Sequence, residues 1–400
     1  MPREVDIVGA GITPFGKRRD MSLRSLAADA MTSAIDDAGL TPADIGLLVF
    51  GNAMAGVLTG QEMIRGQVAA TEAGLAAIPV LNVENACTSS SSAVHVALAA
   101  IRSGMYDTVL VCGAEKMTGL PTRTVLDAMT SGADIERIPE VTRELTGGAD
   151  KVESFFMAVY SQMTRAYQAR SGATADDLAD VAVKNSAHGA LNPNAQYRRA
   201  LSREEVLGSR PVAPPLTTLM CSPIADGAAA LVLRAADLDN SERAPVRVRA
   251  CVLGSGVPGA DSPAIPLERR TAQAAYAQAG VGPEDLDVVE VHDAASPNEL
   301  IMYEELGLCG VGEGPKLLAS GATALGGRVP VNPDGGLVSR GHPVGATGCA
   351  QLVELVTQLR GRAGGRQVPG ARIGLAENAG GYLHPDPAAC TVTILERSGA

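Results

Sequence analysis

The sequence predicts a layered α/β protein built from two similar units, and three observations carry that prediction. Of its 400 residues, 46% are hydrophobic but only 3% aromatic, with no Trp. A core of that composition is packed with Ala, Val, Leu and Ile, which lets helices and sheets approach closely. Short apolar runs alternate with Ala-rich helical stretches along the chain. The run from Ala34 to Ile45 is answered by the run from Ala275 to Leu286, with Gly39 and Asp44 matched by Gly280 and Asp285, each 241 residues on.

The elements follow in order. Val5 to Gly9 reads as a first strand. An Ala-rich helix then ends at Gly39, and a turn containing Pro42 leads into a strand from Gly46 to Phe50. Pro79 to Val83 is a further strand that turns into a buried helix carrying Val94, Ala97 and Ile101, and Asp107 to Cys112 is the next strand. Between about Thr118 and Pro215 the pattern changes to long helical stretches, Lys151 to Arg170 and Thr174 to Leu191, rich in Met, Gln and Tyr. An insertion of this length is expected to cover a site. Ala225 to Leu233 returns the chain to the first unit. The second unit repeats the plan with strands Val246 to Ala250, Asp287 to Val291 and Ala371 to Ala376. The expected division is residues 1–240, with the insertion at about 118–215, and residues 245–400, a length sufficient for two large cores.

Lys plus Arg total 33 against 44 Asp plus Glu, a net charge of −11. That excludes the broad basic surface of a nucleic-acid binder. It leaves room for a phosphorylated small ligand held by a few residues such as Arg18, Arg19 and Arg65, each of which alone reads as solvated surface. Seven cysteines without a Cys-x-x-Cys pair suggest neither a zinc site nor a disulfide framework, so no metal is expected. No apolar run approaches membrane-spanning length and the N-terminus lacks signal-peptide order, so the expectation is a soluble cytoplasmic protein.

Cys87 lies where a strand turns into a buried helix. Free N–H groups at a helix start stabilise a thiolate and can hold an oxyanion, so Cys87 is a candidate nucleophile, although a free Cys is ordinarily a small buried hydrophobe. His292 follows a strand, where open α/β sheets present ligand-binding groups, and His342 lies in a glycine-rich entry to another buried helix. A His facing a Cys can take its proton, while each His alone could equally cap a turn. His95 and His188 read as packing or surface residues within helices.

With Asn85-Ala86-Cys87, Cys221 to Ala229, His292-Asp293, Ser339 to Pro343 and Glu377 to Gly381 in this order, the chain resembles the thiolase superfamily, and within it the sterol carrier protein-type thiolases. The resemblance runs from Val5 to about Leu395. It implies a thiolase fold, a five-layer αβαβα sandwich of two βαβαβαββ halves with a loop domain inserted in the first. It also implies that Cys87 carries an acyl group as a thioester, that His342 accepts its proton, and that His292 supports an oxyanion-binding water. The N–H groups of Cys87 and Gly380 would form the second oxyanion hole. A coenzyme A thioester is then the substrate, no resident cofactor is required, and a homodimer or homotetramer is expected.

Two departures qualify this. Family members carry a second reactive cysteine where this chain has Asn378-Ala379-Gly380, or directly after His-Asp, where it has Ala294. Tyr382, His384, Ser296 and Cys349 are the candidate replacements as proton donor, and Ala294 frees volume for a bulkier acceptor. The leading expectation is an acyl-CoA acyltransferase that makes or breaks a C–C bond beside a thioester. An aldolase-like lyase acting on a β-hydroxyacyl-CoA with a small OB-fold partner is the alternative, and a non-catalytic acyl-CoA-binding subunit the third.

Overall fold

The computed structural model describes residues 3–75, 77–149, 151–238, 245–259 and 265–397. The first half contains β1 (Val5–Ile12), α1 (Leu23–Ala38), β2 (Leu47–Gly51), β3 (Val80–Val83), α2 (Ser89–Arg102) and β4 (Thr108–Glu115). Two long helices of the inserted stretch follow, α3 (Phe155–Ser171) and α4 (Ala175–Ala190), before the return strand β5 (Gly227–Ala235). The second half contains β6 (Val246–Ser255), α5 (Leu267–Ala279), β7 (Val288–Glu290), α6 (Pro297–Glu305), α7 (Thr347–Leu359), β8 (Ile373–Gly380) and β9 (Ala389–Arg397). The expected boundary between the halves, at 240–245, falls mostly outside the described residues.

The repeat is visible at the level of caps. α1 and α5 both end at a left-handed glycine, Gly39 at φ 69° and Gly280 at φ 70°, and short 3-10 turns, Pro42–Asp44 and Pro283–Asp285, lead into β2 and β7. Each central helix is likewise preceded by a 3-10 turn, Ala86–Thr88 before α2 and Val344–Ala346 before α7.

Side-chain alternation along the strands builds five layers. Leu48 and Phe50 of β2 face α1 on the outside, while Leu47 and Val49 face α2 and α7 in the middle. In the second half, Val288 faces that same middle layer, while Val289 faces α5, α6 and α4 on the other outside. The strand order is β3-β2-β4-β5-β1-β6-β9-β8-β7. The two sheets therefore join at their edges, where Asp6 and Ile7 of β1 pair with Arg247 and Val246 of β6.

Among the described residues the second sheet is one strand short of the first. At the position equivalent to β3 a single bridge joins Val289 to Val331. Pro330 lacks an N–H and Asn332 takes a left-handed φ of 51°, so no ladder can extend. The inserted stretch is not a body apart, because Leu178, Ala179, Val181 and Ala182 of α4 belong to the outer core of the second half. No helix among the described residues is long and apolar enough to cross a membrane.

Close packing of α2 on β2 depends on Gly51. A Cβ there would stand 2.7 Å from Ser90 Cα and 2.8 Å from Ser90 N. Gly51→Ala should therefore destabilise the protein by about 1–3 kcal/mol. A lowered urea midpoint is expected; an unchanged midpoint would show that α2 can retreat without loss.

Candidate active site

Cys87 sits in the 3-10 turn between β3 and α2, after Ala86 at φ 48°, a left-handed conformation rare for a residue with a Cβ. The run of serines explains how this turn is held. Ser89 Oγ donates to Ala86 O at 2.6 Å, Ser90 Oγ accepts from Cys349 N at 2.9 Å, Ser91 Oγ donates to Asn378 Oδ1 at 2.9 Å, and Ser92 Oγ accepts from Asn85 Nδ2 at 3.0 Å. The nucleophile turn is thus tied to both α7 and β8 in the other half.

The Cys87 sulfur and one ring nitrogen from each of His292 and His342 lie within 4.8 Å of one another, close enough also to share a metal ion. The two imidazoles meet edge to face, with centroids 5.1 Å apart and planes at 80°. The Nε2 atoms of both are buried with no hydrogen-bond partner.

Hydrogen-bond logic assigns the histidines different tautomers. Thr347 Oγ1 donates its single hydrogen to Pro343 O at 3.1 Å, so it accepts from His342 Nδ1, 2.7 Å away. This leaves the His342 Nε2 lone pair free to act as a base. At His292 the Nδ1 atom lies 3.5 Å from Tyr160 Oη, a long contact that can tighten with substrate bound. A phenol donating to Nδ1 puts the proton on Nε2, which makes that nitrogen a donor to a developing oxyanion. Tyr160→Phe should lower turnover roughly tenfold while an acyl adduct on Cys87 still forms; steady-state kinetics with adduct mass spectrometry checks this, and unchanged turnover would show that another group sets the tautomer.

The electrostatics correct one expectation. Burial, reinforced by the nearby Glu115 charge, pushes the Cys87 thiol up to about 12, although the N–H groups of Gly381 and of Cys87 itself oppose the shift. The free protein therefore holds a thiol rather than the expected thiolate. The helix proper begins only at Ser89, and the apolar surroundings of Met54, Val125 and Val344 outweigh its dipole. Burial lowers His292 to about 4, helped by the Arg340 charge. Burial, His292 and Arg340 together hold His342 well below its ordinary range. Both rings are neutral at neutral pH, so His342 can receive the thiol proton.

A cavity of about 290 Å³, within a wider space of about 1380 Å³ including its open mouth, surrounds this cluster. Met129, Phe156, Met157, Tyr160 and Met163 of the inserted stretch form one wall, and Arg65 stands among the lining residues.

The other sequence candidates divide. Ala294, Gly380 and Tyr382 line the cavity. A Cβ on Gly380 would stand 2.7 Å from Thr88 N and 2.8 Å from Asn85 O, so only glycine lets β8 approach the nucleophile turn. Tyr382 Oη is 2.7 Å from His384 Nδ1, and His384 Nε2 turns to Glu144 at 3.3 Å, away from the cavity. Ser296 Oγ is directed at Leu178 O, 3.4 Å away, and Asn378 is held by Ser91. Cys349 is packed in the middle layer beside Ser90. None of these last four reaches the cavity wall. Sequence reasoning missed Tyr160, Glu268 and Asn298, which do. The spacing of Phe156, Tyr160 and Met163 at i, i+4 and i+7 is the signal that could have found the first.

Comparison with known proteins shows what the chain is similar to. The family description "Thiolase, N-terminal domain" matches residues 5–237, and "Thiolase C-terminal domain-like" matches residues 261–397. The chain is 40% identical to the acetyl-CoA acetyltransferase of Methanothermobacter thermautotrophicus, covering 95% of this chain and 97% of that one. It is 35% identical to the benzoylsuccinyl-CoA thiolase subunit BbsB of Thauera aromatica, covering 95% and 96%. Sterol carrier protein 2 of Bos taurus is 34% identical over 94% of this chain and 70% of its own length. Among solved structures, the Ltp2–ChsH2(DUF35) aldolase superposes with a TM-score of 0.82 at 26% identity, covering 100% of this chain and 99% of that chain.

Proposed function

Because the chain belongs to the thiolase family, we propose that it transfers acyl groups from coenzyme A thioesters through an acyl-Cys87 intermediate and makes or breaks a C–C bond beside a thioester carbonyl. The observation that carries this reading is the Cys87, His292 and His342 cluster, with one imidazole nitrogen poised as a base and the other as a donor. Coenzyme A enters as part of the substrate.

In the first step the Cys87 sulfur attacks the thioester carbonyl while His342 Nε2 takes its proton. The carbonyl oxygen gains negative charge and is held by the N–H groups around Cys87 and the Gly380–Gly381 turn. The C–S bond to coenzyme A then breaks, and the departing thiolate recovers the proton from His342. In the second step His292 Nε2–H supports the oxygen of the second thioester as its α-carbon becomes an enolate. In condensation that carbon gives up a proton and bonds to the acyl carbon, the bond to Cys87 breaks, and the released sulfur takes up a proton, so the proton count is unchanged. In cleavage the reverse occurs and the carbon must receive a proton.

The second step is where the chain departs from its family. Tyr160 and Tyr382 line the cavity, and burial, the leading cause for each, raises both above the ordinary phenol range. Both phenols therefore stay protonated at neutral pH and face His292 and His384, so neither supplies the base that condensation needs. The likeness to the Ltp2–ChsH2(DUF35) aldolase favours, as a second reading, retro-aldol cleavage of a β-hydroxyacyl-CoA with a small OB-fold partner chain.

Intact-protein and peptide mass spectrometry after exposure to a range of acyl-CoAs tests the main reading. An acyl mass on the Cys87 peptide is expected, and its absence across the range would sink the proposal. Acetoacetyl-CoA thiolysis and acetyl-CoA condensation should both be weak, because a positioned base contributes about 10²–10⁴-fold and the second thiol is missing. Robust turnover of either would show that another group has replaced it fully. Retro-aldol cleavage that survives Cys87→Ala would favour the second reading.

A further inference from the structure

One charged group on the cavity wall is used by neither the acyl transfer nor the fold. Glu268 stands in the first turn of α5, 5% exposed, and lines the cavity with Tyr160, Ala379 and Pro385. Apart from its own backbone N–H, no described residue donates a hydrogen bond to its carboxylate. Its cationic neighbours are turned elsewhere, Arg269 to Glu305 at 2.9 Å and Arg270 to Asp386 at 3.2 Å. The other acids on the wall, Glu62 and Glu84, are exposed, and Glu62 pairs with Arg65.

A glutamate in the first turn of a helix is ordinarily placed in solvent, where it benefits from the helix dipole without losing its hydration. Glu268 instead faces a mostly apolar cavity, and burying a carboxylate without a partner is strongly unfavourable. Burial first, then Glu305 and Asp386, push it up to about 7, with Arg270 opposing. The acidic charges that act on Cys87 are Glu115 and Glu84, whereas Glu268 acts on Tyr160 and Glu377. It therefore belongs to the part of the cavity around Tyr160. What this carboxylate lacks is a donor, and the space in front of it is where substrate goes.

We propose that Glu268 determines specificity by selecting acyl chains that carry a hydrogen-bond donor, a hydroxyl or a protonated amine, over plain alkyl chains and against carboxylated ones. A substrate donor satisfies the buried carboxylate, an alkyl end leaves it unpaired, and a second carboxylate repels it. Arg65 is the one cation lining the cavity among the described residues. It is engaged with Asn52 Oδ1 at 3.1 Å, Gln61 O at 3.0 Å and Glu62 at 3.3 Å, so no free cation compensates a carboxylated chain. The inference rests on the acyl-CoA reading above and names the class of substrate for that site.

Non-cleavable thioether analogues of acyl-CoA, of matched length and ending in methyl, hydroxyl, ammonium or carboxylate, provide the test. Binding is measured by calorimetry to the Cys87→Ala protein, which needs no chemistry, at a pH above the value of about 7 to which Glu268 is raised, so that it is ionised. Hydroxyl and ammonium ends should bind about tenfold or more tighter than methyl, and carboxylate weakest. Adding Glu268→Gln, nearly the same shape, should remove the ammonium preference and keep that for hydroxyl; Glu268→Leu should turn the preference toward methyl. Equal binding of all four ends, or ratios unmoved by Glu268→Gln, would overturn the inference. Selective binding with no acyl adduct on wild-type Cys87 would instead overturn the acyl-transfer reading alone.

Discussion

Cys87→Ala is expected to abolish the acyl adduct and to lower thioester-dependent turnover by about 10⁴-fold or more. The size follows from how the work is divided. With the thiol pushed up to about 12 and both imidazoles neutral, no other group within the cluster can form a covalent thioester. Removal of the sulfur leaves only binding and the oxyanion donors. His342→Asn should behave similarly in the acylation step, with a loss of about 10²–10⁴-fold, because the proton then has no acceptor. Single-turnover acylation followed by mass spectrometry separates the two. If Cys87→Ala retained acyl transfer within tenfold of wild type, the nucleophile would lie elsewhere.

The largest effect on stability is expected at Arg340, which is 1% exposed. Its guanidinium bonds to Asp334 and lies 3.6 Å from Glu290, and its charge acts on both His292 and His342. Arg340→Met removes the cation and leaves these acids buried without compensation, a change of about 3–5 kcal/mol. The sign of the pH dependence follows. Burial, the largest cause, already raises Glu290 well above the ordinary carboxylate range, and loss of Arg340 raises it further. A raised folded pKa favours the folded state at low pH and loses that contribution as pH rises. The deficit of the variant should therefore grow from mildly acidic to mildly alkaline pH in urea titrations. A deficit independent of pH would show that Glu290 does not titrate with folding.

Much of the fold was legible because the duplicated units are marked by caps. A left-handed glycine, a Pro turn and a strand recur at Gly39 and Gly280 with the same spacing, and such punctuation is local. Cys87, His292 and His342 were legible for the same reason, since each lies at the junction of a strand or a glycine turn with a helix. The protonated state of the Cys87 thiol was not legible, because local N–H groups favour a thiolate while tertiary burial opposes it more strongly. Tyr160 and Glu268 were missed because nothing near them in sequence marks chemistry. They reach the cavity only when the inserted helix and the start of α5 close over it. Ser296, Asn378, His384 and Cys349 fail for the converse reason. Adjacency to a motif along the chain does not fix the direction of a side chain: Ser296, Asn378 and Cys349 are held by Leu178, Ser91 and Ser90, and His384 stands behind Tyr382 and turns to Glu144.

The paired 3-10 turns have a consequence for stoichiometry. Cys87 is the middle residue of the turn before α2, and Gly345 is the middle residue of the matching turn before α7. A Cβ at Gly345 would meet Asn52 Cα at 2.8 Å, Glu115 Oε2 at 2.9 Å and Ala114 O at 3.0 Å. The duplicated ancestor plan offers two equivalent places for a nucleophile, and packing has closed one of them. The molecule is asymmetric in chemistry while symmetric in architecture: one copy of the turn presents a thiol to the cavity, the other is the seam against which the first half is braced. On the acyl-transfer reading proposed above, each chain takes a single acyl group, on Cys87.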